Sequence, residues 1–119
     1  MLAGDFNIIA EASERLVGGA PPNARNMEDF NQTLFNCGLT AVEFEGPRCT
    51  WTNGTVWQRL ERVVINQEWA EMYTVTRVLH LARGRSDHAP LVIKYGSGRQ
   101  GRLAFRYLSW GRSRGMGRG

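Results

Sequence analysis

Arg83-Gly84-Arg85-Ser86-Asp87-His88-Ala89-Pro90-Leu91-Val92-Ile93-Lys94-Tyr95 runs from a polar stretch straight into an apolar one. Residues 89–95 read as a strand apolar enough to be buried on both faces. Residues 83–88 are too polar for a core and read as the loop that feeds it. Such loops hold reactive side chains on a rigid frame. Asp87 and His88 are therefore candidate site residues.

Toward the N-terminus, the elements alternate in kind. Residues 74–82 read as a strand and 67–72 as a short helix with Trp69 and Met72 turned inward. Residues 55–66, with Leu60, Val63, Val64 and Ile65, read as a strand. Asn53-Gly54 is a hairpin turn signal between that strand and another at 48–52. Residues 39–44 alternate and read as one more. Met27, Phe30, Leu34 and Cys37 recur at helical spacing, with Asn26 as N-cap, Glu28 and Asp29 in the first turn and Gly38 as the stop. Residues 11–25 hold Gly18-Gly19-Ala20-Pro21-Pro22, a loop signal. Residues 1–10 read as a short strand running into a turn. A strand-rich body with one good helix and one short one is an α+β pattern, and no internal repeat is present.

A chain of 119 residues suggests one domain, and 42% hydrophobic content is ordinary for a globular body. The net charge of +4 is unevenly spread: residues 94–119 carry seven basic residues and no acid, while residues 1–93 carry eight basic and eleven acidic ones. Any affinity for nucleic acid read from charge therefore belongs to the C-terminal stretch. Two cysteines, Cys37 and Cys49, have no zinc-ligand spacing and read as reduced, buried thiols of an intracellular protein. No signal peptide and no apolar run of the ~18–20 residues a membrane span needs is visible.

Asp5 and Asn7 lie two apart at a strand end, so alternation puts them on one side if the strand continues. Together with Asp87 and His88 they form the inventory for metal-assisted phosphodiester hydrolysis. A hard cation takes carboxylate oxygens. A water needs a carboxylate or imidazole to deprotonate it. Phosphoryl oxygens need donors such as Asn or protonated His. Each residue alone has a second reading: Asp5 and Asn7 as turn formers, Ser86-Asp87 as a loop cap, His88 as a hydrogen-bonded structural histidine. His80, within a strand alternation beside Val78, reads as structural or exposed.

Three stretches in order, Gly4-Asp5-Phe6-Asn7, Arg59-Leu60-Glu61-Arg62-Val63 and Ser86-Asp87-His88-Ala89-Pro90-Leu91, resemble motifs of the endonuclease/exonuclease/phosphatase superfamily. The text between them, Glu14-Arg15-Leu16-Val17-Gly18-Gly19, Cys37-Gly38-Leu39, Thr50-Trp51-Thr52-Asn53-Gly54, Ile65-Asn66-Gln67-Glu68-Trp69 and Val78-Leu79-His80-Leu81, is similar to the endonuclease domains of plant LINE-type (non-LTR) retrotransposons. The resemblance spans about residues 1–95 and implies the C-terminal half of a two-sheet β-sandwich flanked by helices, with the site at one end of the sheets.

It also implies roles. Asp5 would orient or activate the attacking water. Asn7 would partner that aspartate and the phosphate. Asp87 would lie near the metal, and His88 would contact the scissile phosphate or act as base. Glu61 stands where the family has Asp and would orient the histidine from one methylene further away. The cofactor implied is Mg²⁺, with Asp87 and Asp5 as its weak and incomplete ligands. The partner implied is DNA and the reaction phosphodiester hydrolysis. The family's first half, which brings the principal metal-ligating glutamate, has no counterpart in these residues, and Glu11 and Glu14 are misplaced for it. The expectation is therefore a fragment of a Mg²⁺-dependent DNA endonuclease with little or no activity alone. One sheet face would be left bare, inviting self-association, and the location would be nuclear if the ancestral role is kept.

Residues 96–119 read as a Gly/Arg-rich basic tail, a linker or disordered segment holding half of the 14 glycines, interrupted by Phe105, Tyr107 and Trp110. Two readings stand for it: out-of-family sequence past a truncation or frameshift, or a segment that contacts RNA or DNA. The latter gives the alternative of a non-catalytic nucleic-acid-binding protein. A remnant with no selected role is a third reading.

Overall fold

A computed structural model describes residues 1–16, 22–97 and 103–109. The described chain is α+β, with three small sheets and two α-helices. The strands are β1 (Leu2–Asp5), β2 (Arg15–Leu16), β3 (Thr40–Ala41), β4 (Phe44–Glu45), β5 (Trp51–Thr52), β6 (Trp57–Gln58), β7 (Glu61–Ile65), β8 (Val75–His80), β9 (Leu91–Gly96) and β10 (Ala104–Leu108). The helices are α1 (Ala24–Asn36) and α2 (Gln67–Met72), and Ala12–Glu14 form one 3-10 turn.

The first sheet has the order β1-β7-β3, the second β10-β9-β8-β4 and the third β2-β6-β5. All pairings are antiparallel except β4 with β8. Val63 of the first sheet joins Val78, Leu91 and Ile93 of the second in one buried cluster, flanked by Met1, Ala3, Val42 and Phe44. The sheet face expected to be bare is therefore covered, because residues 1–95 supply strands to both layers. The core lies between two sheets built from this chain.

Period-two alternation along β1 and β7 aims the core. Ala3 pairs with Val63, and two residues on, Asp5 pairs with Glu61. The same face is thus apolar in the middle of the sheet and carboxylate at its end. On the other face, Arg62 lies under α1, with its guanidinium 5.4 Å from the Phe30 ring, and Phe6 meets Phe30 edge-on at 5.7 Å.

Several expectations change. Residues 39–44 are not one strand: Thr40 and Ala41 pair with β7, and Phe44 and Glu45 pair with β8 in the other sheet. The alternating pattern describes a chain crossing from layer to layer. Residues 55–66 likewise divide into β6 and β7 at Arg59-Leu60, and the strand expected over 48–52 is only Trp51–Thr52. Asn53-Gly54 does turn a hairpin, between β5 and β6. The Asn53 Oδ1 accepts from the amides of Thr55 and Val56 (2.9 and 2.8 Å), and Gly54 takes a φ of +97°.

The N-cap of α1 is Asn23, not Asn26. Its side chain accepts from the Asn26 amide at 3.1 Å, so Glu28 and Asp29 fall beyond the first turn. Gly38 leaves the helix at a φ of +68°. Met72 is exposed, as the two-turn α2 turns only Trp69 toward Tyr95. Cys37 is exposed and only Cys49 is partly buried. In β9, Leu91 and Ile93 are fully buried while Val92 and Lys94 are half-exposed, so one face alone is in the core. Part of the expected tail is strand: β10 pairs with β9 from Ala104 opposite Tyr95 to Leu108 opposite Leu91. Trp110 and the remaining tail positions from 98 to 102 and 111 to 119 lie outside the described residues.

Candidate functional site

At the end of the inter-sheet core, Asp5, Glu61 and His88 converge, with one ligating atom of each within 4.8 Å of the others. Asp5 ends β1 and Glu61 begins β7, and their register makes them neighbours. His88 reaches them from the loop between β8 and β9. That loop is pinned to β5 by backbone contacts: the Thr52 amide donates to the Asp87 carbonyl at 3.1 Å, the Ala89 amide to the Thr50 carbonyl at 2.6 Å, and Trp51 bridges His88.

Thr50, immediately before β5, ties that strand to β7. Its buried hydroxyl accepts from the amides of Leu60 and Glu61, at 2.9 and 3.1 Å. These two amides sit at the break between β6 and β7. The Thr50-Trp51-Thr52 segment thereby holds both Glu61 and His88 in place.

His88 Nδ1 hydrogen-bonds Glu61 Oε2. Glu61 is wholly buried, and its Oε1 has no hydrogen-bond partner. Burial pushes the Glu61 carboxyl up from its ordinary value, and Thr50 and His88 oppose that without reversing it. With Nδ1 directed at a carboxylate, the other ring nitrogen is the working one. That Nε2 lies 4.0 Å from Asp5 Oδ2. The gap is too long for a direct hydrogen bond and short enough for one water or phosphoryl oxygen to bridge.

Asn7 acts on Asp5 through its backbone. It takes a φ of +57°, and its amide donates to Asp5 Oδ1 at 2.7 Å. One carboxylate oxygen is thus fixed and the other is left facing His88. Asp87 does not join the cluster: its side chain is exposed, and its carbonyl serves the Thr52 contact. Of the five sequence candidates the structure brings together Asp5, Glu61 and His88, with Asn7 beside them and Asp87 outside.

A second polar cluster lies behind the first and was not legible as a unit. Glu14 takes hydrogen bonds from Arg62 (2.7 and 3.3 Å) and Arg59 (3.1 Å), and all three side chains are nearly buried. Burial acts to raise the Glu14 carboxyl. The Arg62 hydrogen bond, the Ala10 amide and the two arginine charges outweigh it, leaving it below the usual range. Burial also lowers Arg59. Glu14 is thus a structural counter-ion. The only sequence signal was its place in the Glu14-Arg15-Leu16 text, 45 residues from Arg59.

His80 is structural. It is buried, stacks on Phe44 at 4.0 Å, and donates from Nδ1 to the Pro47 carbonyl at 2.7 Å. Burial lowers its pKa to about 4 against the raising effect of that carbonyl, with Arg59 and Arg62 adding to the fall. Gly46 makes room for it: a Cβ there would stand 2.3 Å from the His80 carbonyl oxygen.

The donor set suits an ion held loosely. Asp5 offers an accessible carboxylate, while Glu61 is engaged with His88 and buried. Magnesium keeps most of its waters and often binds through one or two carboxylates, so Asp5 fits an outer edge of such a site rather than a closed cage. Among the described residues, no helix is long and apolar enough to cross a membrane. No protein-family model, no curated protein and no solved structure matches the chain.

Proposed function

We propose that the chain is part of a Mg²⁺-dependent DNA endonuclease of LINE-type retrotransposon kind and carries the acid–base portion of the site. The observation that supports this reading is the Asp5–His88–Glu61 convergence. Three motifs far apart in sequence meet at one sheet end, with a buried carboxylate orienting an imidazole toward an accessible one.

The chemistry follows from the placement. Glu61 holds His88 through Nδ1 and stabilises the imidazolium when Nε2 takes a proton. Nε2, facing Asp5 across a one-atom gap, either accepts a proton from a water held by Asp5 or, once protonated, donates to a phosphoryl oxygen. Asn7 keeps the Asp5 carboxylate from rotating away. A magnesium ion, held by Asp5 with waters, would neutralise charge developing on the phosphoryl group. With one accessible carboxylate in the cluster, metal affinity is weak, and the expected activity of this chain alone is little or none.

The test reads binding rather than turnover. The chain has two histidines, His80 and His88, so their ring signals are separable by NMR. Titration with the dinucleotide TpT and Mg²⁺ is expected to shift His88 and leave the buried His80 unmoved. Asp5→Ala abolishes the shift. A His88 signal indifferent to TpT, with or without Mg²⁺, would overturn the reading. In parallel, supercoiled plasmid incubated with Mg²⁺ is expected to show no more than trace nicking above an EDTA control.

A further inference from the structure

The outward face of the second sheet carries a different kind of surface. Strand β10 lies at its edge, with Phe105 and Tyr107 71% and 61% exposed. They are two residues apart, so they project from the same face, about 6.6 Å apart along the strand. Phe105 stands opposite Lys94, and Lys94 stands opposite Arg77. Tyr107 stands opposite Val92, which stands opposite Leu79. Two rows therefore cross the sheet: an aromatic ring followed by two cations, and a second ring followed by aliphatic side chains.

The core does not explain these residues. The opposite face of the same strands supplies Ile93, Leu91 and Val78 to the buried cluster, while Phe105 and Tyr107 are turned away from it. Solvent alone favours neither ring at an edge. Their spacing and the adjoining charge match what binds an unpaired polynucleotide strand: flat rings on which successive bases stack, beside cations that follow the phosphates.

Charge selects the occupant. Glu45 is an acid on this face, and it is already engaged by Arg77 in a bidentate pair at 2.8 and 2.9 Å, which leaves the Arg77 side chain 47% exposed. Among the described residues from Lys94 onward, Lys94 is the cation on this face and none is acidic. A second copy of this chain would bring its Lys94 and Arg77 against the same two cations. A polyanion with exposed π-faces meets both features.

We propose that the β9–β10 face, through Phe105, Tyr107, Lys94 and Arg77, is a stacking platform for single-stranded DNA. The choice of DNA rests on the phosphodiesterase reading above. The platform places an unpaired strand on a surface separate from the Asp5–His88 cluster, so strand capture and hydrolysis use different residues. It does not depend on the Gly/Arg text beyond Ser109.

The test is fluorescence anisotropy of a short labelled oligo-dT with the full chain in EDTA, which separates binding from any hydrolysis. Phe105→Ala and Tyr107→Ala are each expected to weaken binding about tenfold, as loss of one stacked base predicts. Lys94→Ala is expected to weaken it and to flatten its salt dependence. Both rings are exposed, so these variants should fold, and a thermal melt equal to the parent's verifies it. Phe105→Leu/Tyr107→Leu keeps apolar area and removes the π-faces, and it is expected to lose as much affinity as the alanine pair. Phe105→Trp/Tyr107→Trp is expected to retain binding. A leucine pair that binds like the parent, a duplex that binds as tightly as the single strand, or oligo-U that binds more tightly than oligo-dT would each overturn the proposal. Failure here leaves the TpT titration at His88 untouched, and failure of that titration leaves this assay readable.

Discussion

The imidazole of His88 hydrogen-bonds through Nδ1 to Glu61, a carboxylate with no solvent exposure that starts the central strand of the first sheet. The pairing joins residues 27 apart. It depends on Glu61 being long enough to reach the loop before β9. Glu61→Asp withdraws the carboxylate by about one methylene, and a shift of ~1 Å is enough to spoil a catalytic alignment. The expected outcome is loss of the downfield Nδ1 proton of His88 from the NMR spectrum, as in Glu61→Ala. Retention of that proton in Glu61→Asp would mean that Nδ1 is held by another group.

Thr50 is predicted to be as important to this pair as the pair's own atoms. Thr50→Val removes the acceptor of two buried amides, those of Leu60 and Glu61. Leaving buried donors unpaired costs about 1–3 kcal/mol each. A urea melt of Thr50→Val should therefore fall by a few kcal/mol, on the order of the two donors lost, with Thr50→Ser recovering most of it. Equal stability of the valine and parent proteins would show that water or a shifted backbone satisfies both amides.

Glu14 neutralises two nearly buried arginines, so its removal should be costly. Breaking a buried ion pair by deleting one partner typically costs about 3–5 kcal/mol. Glu14→Ala is expected in that range by chemical denaturation. Combining Glu14→Leu with Arg62→Met should be less damaging than Glu14→Leu alone, because the second change removes the more buried of the two stranded charges. Additive losses in that double variant would contradict the coupling.

Stability should fall on acidification through the His80 window. His80 titrates near 4 in the folded chain and at about 6.5 unfolded. Below the unfolded value the unfolded state takes up the proton first, so the folded state loses ground between about 6.5 and about 4, by about 3 kcal/mol in all. Glu14, with its lowered carboxyl, adds a further loss only below its unfolded value of 4.5. Glu61 works the other way, since a raised carboxyl favours the folded state as pH falls. Comparing the parent with His80→Gln isolates the histidine: the loss of stability between 6.5 and 4 that the parent shows should be absent in the variant. A parent and variant with the same slope would place the acid sensitivity elsewhere.

How much was legible from residues alone differs by feature. The α+β class, the stop of α1 at Gly38, the Asn53-Gly54 hairpin and the candidates Asp5, Glu61 and His88 could all be read from local chemistry and motif text. The class, the stop and the turn depend on turn preference, periodicity and residue type, which act over a few positions, whereas Glu61 came from the motif resemblance alone. The strand that became β10 could not be read, because the flanking Gly and Arg outweigh five residues whose fate depends on pairing with β9. The resemblance implied Asp87 as a metal ligand, while the tertiary contacts leave its side chain exposed and outside the Asp5, Glu61 and His88 cluster, with its carbonyl held by the Thr52 amide.

By itself, then, the sequence determined the α+β class, the Gly38 stop and the Asn53-Gly54 turn, and it marked out candidate residues, since those follow from residue type and the properties of near neighbours. Tertiary structure alone decided the rest. It divided residues 39–44 and 55–66 between layers, set Asp5 opposite Glu61, buried Glu14 between Arg59 and Arg62, and turned Phe105 and Tyr107 to the outside. Each of these is a contact between distant positions. Strand register and layer packing select such contacts by the apolar area they bury together, a property that no single segment holds.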